Sequence, residues 1–188
     1  MRKVAIVGNI ASGKSEVKKI LLDNGFNVLD TDNVCHKLLD SDEVIKNSFL
    51  NYDVFDDGKI SREKLGKLVF NNELLLKKLE SILHPKVRDS IVSFFEYHSN
   101  EKYVFVEIPL LFETGMEDLF DDILFVYASD EIRLNRLINR NSFSMEYAKQ
   151  RMNAQLSQDE KMKKASVIIK NESTIDYLEQ ELCNLFMQ

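Results

Sequence analysis

Residues Gly8-Asn9-Ile10-Ala11-Ser12-Gly13-Lys14-Ser15 satisfy the spacing G-x-x-x-x-G-K-[ST] in full. That spacing suits the binding of phosphate. A glycine at position 13 tolerates the backbone angles that let successive N–H groups, from about Ala11 to Ser15, point at phosphate oxygens. A helix that starts at the loop adds partial positive charge from its N-terminus. Lys14 is placed to reach the outer phosphates of a nucleoside triphosphate, and the Ser15 hydroxyl to serve as a ligand to Mg²⁺. The bland alternative is a chance glycine turn with a solvated lysine. The flanks argue against it, because an apolar run precedes the loop and an amphipathic run follows it.

Carboxylates come next. Glu107 ends the run Val104-Phe105-Val106-Glu107, and strand ends in open α/β sheets face the ligand crevice. It is suited to orient Mg²⁺ through water or to contact the acceptor; otherwise it is a strand-end charge facing solvent. Asp30-Thr31-Asp32 follows the second apolar run, at the same edge. Asp32 is suited to aim an acceptor hydroxyl and take its proton as a P–O bond forms. Its alternative is to cap the helix that follows. Asp30, two residues away, is expected to face elsewhere.

The cations divide similarly. Arg136, Arg140 and Arg151 suit the charge spread over a moving phosphoryl group, or belong to a solvated basic helix. Arg62, Lys64, Lys86 and Arg88 either attract a pyrophosphate or are surface charge. His84 touches substrate, or His84-Pro85 ends a helix. Phe94, Phe95 and Tyr97 read as core and rim rather than a platform for bases.

These groups need elements to hold them. Val4–Val7, Phe26–Leu29, Tyr103–Val106, Ile123–Tyr127 and Val167–Ile169 read as buried strands. Helical patterns over 15–22, 130–139 and 176–186 separate or follow them. The alternation predicts an α/β protein with a parallel sheet between helices. Between Asn33 and Asn100 no strand is predicted; the stretch reads as helices, including 62–70 and 73–83, with Pro85 closing one. Residues 141–155 read as a polar, basic helix suited to be a lid. No repeat or low-complexity linker interrupts the chain.

Composition sets outer bounds. The 188 residues carry a net charge of −6, 44% hydrophobic and 30% charged side chains, which suits a globular protein and argues against nucleic acid as the main partner. Cys35 and Cys183 make no disulfide framework, and no metal-ligand spacing accompanies Cys35-His36. The apolar run at the N-terminus is too short for a signal peptide, and none suffices to span a bilayer, so a cytoplasmic protein is expected. A GTPase switch would need D-x-x-G and [NT]-K-x-D, and neither occurs. A motor or transporter ATPase is usually larger. The residues alone lead to a small-molecule kinase.

A resemblance extends this. Asp30-Thr31-Asp32, Ser61-Arg62-Glu63-Lys64-Leu65, Val69-Phe70, His84-Pro85-Lys86-Val87-Arg88, Ile108-Pro109-Leu110-Leu111-Phe112-Glu113, Arg136-Leu137 with Arg140, Arg151 with Gln155, and Lys161 with Ala165 resemble dephospho-CoA kinases in order and spacing. The resemblance implies transfer of phosphate from ATP, with Mg²⁺, to the ribose 3′-hydroxyl of dephospho-CoA, giving CoA and ADP. It implies a P-loop NTPase three-layer fold: a five-stranded parallel core over 1–32, 101–139 and 157–188, a helical CoA-binding insertion over 33–100, and a lid over 140–156. It also implies nucleotide contacts from Gly8, Ala11, Ser12, Gly13, Lys14, Ser15, Glu16, Arg140 and Asn171, and substrate contacts from Asp32, Arg62, Lys64, His84, Arg88, Glu107 and Leu111. Asp32, Lys14 and Arg140 are the implied catalytic groups. ATP and dephospho-CoA are the implied partners, with no nucleic acid or membrane, on a monomer or weak oligomer. The chain departs from the family's pattern at Glu16, Arg133, Ser166 and Ser173, which bears on the adenine pocket.

Overall fold

The computed structural model describes residues 1–141 and 143–187; Ser142, inside the expected lid, and Gln188 lie outside the described residues. The elements run β1 (Arg2–Val7), α1 (Lys14–Asp23), β2 (Asn27–Asp30), α2 (Thr31–Ser41), α3 (Glu43–Phe49), β3 (Phe55–Asp56), β4 (Lys59–Ile60), α4 (Arg62–Phe70) and α5 (Glu73–Tyr97). Then come β5 (Tyr103–Glu107), α6 (Leu111–Thr114), β6 (Asp122–Tyr127), α7 (Asp130–Asn141), α8 (Met145–Asn153), α9 (Gln158–Met162), β7 (Val167–Lys170) and α10 (Ile175–Phe186). The chain divides into two compact units, 1–29 with 95–188, and 30–94. The second is close to the expected insertion, with its ends three and six residues earlier (30 against 33, 94 against 100).

The first unit is built on a five-stranded sheet in the order β2-β5-β1-β6-β7. Pairings of β1 with β5 and β6, and of β6 with β7, are parallel. Val4 to Val7 are fully buried, as expected for a central strand covered on both faces. Helix α1 turns Val17, Ile20 and Leu21 inward at the three- and four-residue spacing of an amphipathic helix, and α10 does so with Leu178, Leu182 and Phe186. Both stripes join Ile6, Phe105 and Leu124 in one core. Phe105 meets Phe186 edge to face, with centroids 5.1 Å apart.

The second unit has its own core, including Leu39, Ile45, Phe49, Ile60, Leu65, Val69 and Leu79. Two expectations are corrected here. First, the stretch contains strands: β3 and β4 form an antiparallel hairpin. Its loop is Asp57-Gly58, with φ of 48° and 77°, the left-handed pair that a two-residue hairpin turn requires. Second, Pro85 does not close a helix, since α5 passes through it. An interior proline costs about 3 kcal/mol or more. Leu75, Leu79, Val87, Ile91 and Phe95 nonetheless stay buried at four-residue steps on either side of it. At roughly 1.5–3 kcal/mol for each buried side chain, keeping that stripe continuous outweighs the proline.

Candidate active site

β1 sets the loop at the carboxyl end of the sheet, and register fixes what lies beside it. Ile6 is abreast of Glu107 on β5 and Leu124 on β6. Gly8 must lack a side chain, because a Cβ there would lie 2.6 Å from both Ser12 Oγ and the Val126 carbonyl. Ala11 and Gly13 take left-handed angles, φ 63° and 102°. A Cβ on Gly13 would collide with Asn171 Nδ2. The loop thus turns sharply enough to start α1 at Lys14, with no side chain capping the helix.

One expectation about the loop changes. The Ser12 N–H is spent inside the loop on the Asn9 carbonyl, at 3.1 Å. It closes the turn instead of facing a ligand. Lys14 Nζ lies over the loop and donates to the carbonyls of Gly8 at 2.8 Å and Asn9 at 3.3 Å. Ser15 is exposed.

Neighbouring elements hold the loop from outside. Gln155, between α8 and α9, accepts from the Ile10 N–H at 2.7 Å, and Asn9 Nδ2 donates to the Leu156 carbonyl at 2.9 Å. Asn171, just beyond β7, donates from Nδ2 to the Ser12 carbonyl at 2.9 Å. From α7, Arg136 donates to the carbonyls of Ala11 and Ser12, both at 3.1 Å, and to that of Asn171 at 2.9 Å. Burial holds the Arg136 guanidinium below its ordinary pKa, with Glu172 opposing that shift. Arg133 is buried and donates to Asp130 at 2.8 Å.

The loop opens on a cavity of about 1090 Å³, lined among others by Lys14, Ser15, Glu16, Arg136, Arg140 and Arg151. Four cations face one carboxylate there, on a chain whose net charge is −6. Such local focusing attracts a polyanion. Arg140 is exposed, one turn beyond the more enclosed Arg136.

Glu107 is not a strand-end charge facing solvent. It is 7% exposed, and Lys18 Nζ sits 2.7 Å from its carboxylate. The sequence reading missed Lys18, although it lies one turn after Lys14 on the same face of α1. Leu111, expected to contact substrate, has its side chain packed in the core at 0% exposure, while its neighbour Leu110 is 48% exposed. Glu113 of the same run pairs with the buried Lys161 at 2.8 Å, joining α6 to α9.

In the second unit, Asp32 is exposed in the first turn of α2, and it is not the cap. Asp30 is, accepting from the Asn33 N–H at 3.1 Å. Cys35 lies near both carboxylates, and its thiol pKa is raised, chiefly by burial. Lys64 is engaged with the hairpin, 2.7 Å from Asp56 and 3.3 Å from Asp53. That is a structural use of a cation expected to meet substrate. Lys86 pairs with Asp42 at 2.6 Å. Arg62 is exposed at the start of α4; His84 and Arg88, four residues apart on α5, are half-buried. Among the described residues no group of three or more His, Cys, Asp or Glu gathers for a metal. That is compatible with Mg²⁺, which is usually held by few protein ligands together with substrate phosphates and water. Among the described residues no helix is long and apolar enough to cross a membrane.

Sheet order, loop and cavity together define a P-loop protein of the metabolite-kinase class. A shikimate kinase from Acinetobacter baumannii shares the fold at TM-score 0.55 and 14% identity, over 100% of this chain and 93% of that one. Two solved structures are much nearer. "TT1252" from Thermus thermophilus is 35% identical at TM-score 0.84, covering 99% of this chain and 96% of its own. A dephospho-CoA kinase from Campylobacter jejuni is 34% identical at TM-score 0.77, covering 98% and 95%. A dephospho-CoA kinase of Fusobacterium nucleatum is 38% identical over 178 residues, 93% of this chain and 92% of the relative. The family model described as "CoaE: Dephospho-CoA kinase" matches residues 2–177. The chain belongs to the dephospho-CoA kinase family, kinases that transfer phosphate to a hydroxyl group of dephospho-CoA.

Proposed function

We propose that this chain transfers the γ-phosphoryl group of ATP to the ribose 3′-hydroxyl of dephospho-CoA. The observation that carries the reading is the loop at residues 8–15, strand before and helix after, opening on a cavity rich in cations, in a chain of this family. The loop N–H groups and Lys14 bind the triphosphate. Asn171 acts by holding the loop, and Glu16 lines the same cavity. Arg140 meets the charge that develops on the moving phosphoryl group, engaging when 140–156 closes as a lid. Ser15 would hold Mg²⁺ with the phosphates, and the ion when bound neutralises charge on the phosphate oxygens.

Asp32 orients the ribose hydroxyl and accepts its proton. The hydroxyl oxygen forms a bond to the γ-phosphorus as the bond to the bridging oxygen of ADP breaks. Arg62, His84 and Arg88 bind the acceptor, and Glu107, compensated by Lys18, shapes the site's floor. The enzyme works in the cytoplasm as a monomer or weak oligomer.

The test is ADP release from ATP-Mg²⁺ with dephospho-CoA, AMP, shikimate, gluconate or water as acceptor. Rapid release is expected with dephospho-CoA alone. Comparable turnover with AMP or shikimate would point to another small-molecule kinase, and GTP hydrolysis without an acceptor to a nucleotide switch.

A further inference from the structure

A peptide unit carries its N–H on one side and its C=O on the other. A loop that turns N–H groups toward phosphate must therefore turn carbonyls away from it, into protein, where they need donors. Here the outward carbonyls are those of Ile10, Ala11 and Ser12. Arg136 donates to two of them at 3.1 Å, and Asn171 Nδ2 donates to Ser12 as well, at 2.9 Å. The buried Arg133 reaches the Ile10 carbonyl at 3.4 Å. A second nitrogen of Arg136 donates to the Asn171 carbonyl at 2.9 Å, so one guanidinium ties the loop to the strand end beyond β7.

The need for such a tie shows at Ala11. It is a non-glycine residue with φ of 63°. Left-handed angles are disfavoured for a residue with a Cβ. Relaxation out of the left-handed region changes φ and ψ of Ala11 together, turning both flanking peptides and swinging the Ile10 and Ala11 carbonyls from their places. An oxygen aimed at the phosphates would then repel them.

We propose that Arg136 is a positioning residue that locks the loop in its phosphate-accepting conformation before nucleotide arrives, by holding the Ala11 and Ser12 carbonyls outward. The proposal rests on reading this loop as the ATP-phosphate site. Arg140, one turn along α7, lines the same cavity and is the more exposed of the two. Two arginines of one helix therefore divide the work: one shapes the loop and the other faces the ligand. A lysine cannot replace Arg136, because an ammonium lacks the planar fork that reaches several carbonyls at once.

The decisive measurement uses ligand-free protein. Amide hydrogen exchange at Ser12, whose N–H closes the loop on the Asn9 carbonyl, reports the loop's conformation. In Arg136→Ala, Ser12 should exchange roughly 10–100-fold faster, the scale of a lost charge-assisted bond, while β1 and the centre of α1 keep their rates. Affinity for tripolyphosphate and for ATP should fall together, by a similar factor. kcat at saturating ATP should fall less than KM rises. Arg136→Lys should restore little of either quantity. Unchanged Ser12 exchange in Arg136→Ala overturns the proposal. So does full recovery of ATP affinity by lysine, which would make Arg136 a simple charge on the ligand. Loss of ATP affinity with tripolyphosphate affinity kept would also overturn it, in favour of a contact to the base. If Arg136→Ala does not fold, the same exchange measurement on Arg136→Lys decides. If the wild-type chain binds neither polyphosphate, the ATP-site reading fails, while exchange in the ligand-free protein still tests the lock.

Discussion

The two units hold their charged groups in contrasting ways. Around the phosphate loop, buried side chains donate to backbone carbonyls: Asn171 at 8% exposure, Asn9 at 1% and Arg133 at 3% each hold one of the loop or its supports. In the unit spanning 30–94, Asp32 and Arg62 lie exposed. Lys64 and Lys86 there pair with carboxylates of the same unit. The nucleotide half is preorganised by hydrogen bonds whose loss leaves buried groups unsatisfied. The unit spanning 30–94 keeps some groups open and uses others as fasteners. Substitutions should therefore separate by region. Those at the loop should affect chemistry steeply, and those in the second unit should affect either turnover or stability, seldom both.

The largest effect is expected for Lys14→Ala. A cation acting on the transferring phosphoryl group contributes on the order of 10³–10⁵ in kcat. Single-turnover kinetics should show that loss with little change in melting temperature. Near-normal turnover would remove this loop from the ATP site. Asp32→Asn should lower kcat by roughly 10²–10⁴, as for a general base, with ATP binding and melting temperature nearly unchanged. Asp30 is the control. As the true cap, Asp30→Ala should cost about 1 kcal/mol in denaturant unfolding. Should Asp32→Asn prove fully active, the base must be sought first at Glu107. Arg140→Ala follows, at about 10²–10³ in kcat with a smaller loss in nucleotide affinity, because a charge engaged at closure acts on the transition state. Equilibrium ATP binding and kcat measured side by side settle that split.

Glu107→Gln also probes how tightly the interior holds this carboxylate. Its carboxylate is enclosed and Lys18 is its counter-ion at 2.7 Å. Removing one partner of a buried pair costs about 3–5 kcal/mol. The Lys18 side chain keeps 23% of its exposure and regains some water, so about 2 kcal/mol is expected. Urea unfolding measures it. A change under 0.5 kcal/mol, on the scale of an ordinary surface substitution (about ±0.5 kcal/mol), would mean that the carboxylate is not held as the geometry suggests.

How much of this was legible beforehand depended on distance along the chain. The loop is local: strand, glycines, lysine and helix follow one another, and the sequence pattern placed all of them. Arg136 lies 125 and 124 residues from the carbonyls it holds, so no spacing rule could reveal that bond. Lys18 was within reach, since its four-residue step from Lys14 was visible, but its partner on β5 was not. Leu111 shows the limit of a motif: the Pro-Leu-Leu-Phe-Glu run pointed to the family but did not show that this side chain is packed in the core. At Pro85 a sound local rule lost to a stripe of buried side chains. Asp57-Gly58 carried a hairpin signal, yet its flanking strands, two residues each, are too short to show alternation.

The smallest effect concerns acid stability of the second unit, and it sets a fastener apart from an open group. Asp42 caps α3, accepting from the Ile45 N–H at 3.0 Å, and meets Lys86 Nζ at 2.6 Å. The Lys86 bond, then the helix-start N–H groups, hold its carboxyl below the ordinary carboxylate range, against an opposing contribution from burial. The sign follows from linkage. A carboxyl whose folded pKa lies below its unfolded one stabilises the fold fully above the unfolded value, near 3.9 for aspartate. That contribution fades as pH falls from there through the folded pKa. Wild-type stability should therefore decline below about pH 4 partly through this group. Asp42→Asn keeps a side-chain oxygen for the cap and loses the ion pair, so its stability should be lower at pH 7 and its acid decline shallower. The two curves should converge toward pH 2, where the aspartate is protonated as well. Urea midpoints across pH 2–7 give the comparison. Parallel curves would show that Asp42 and Lys86 are not coupled in solution, and that the second unit's surface pairs contribute as little as exposed pairs usually do, about 0–1 kcal/mol.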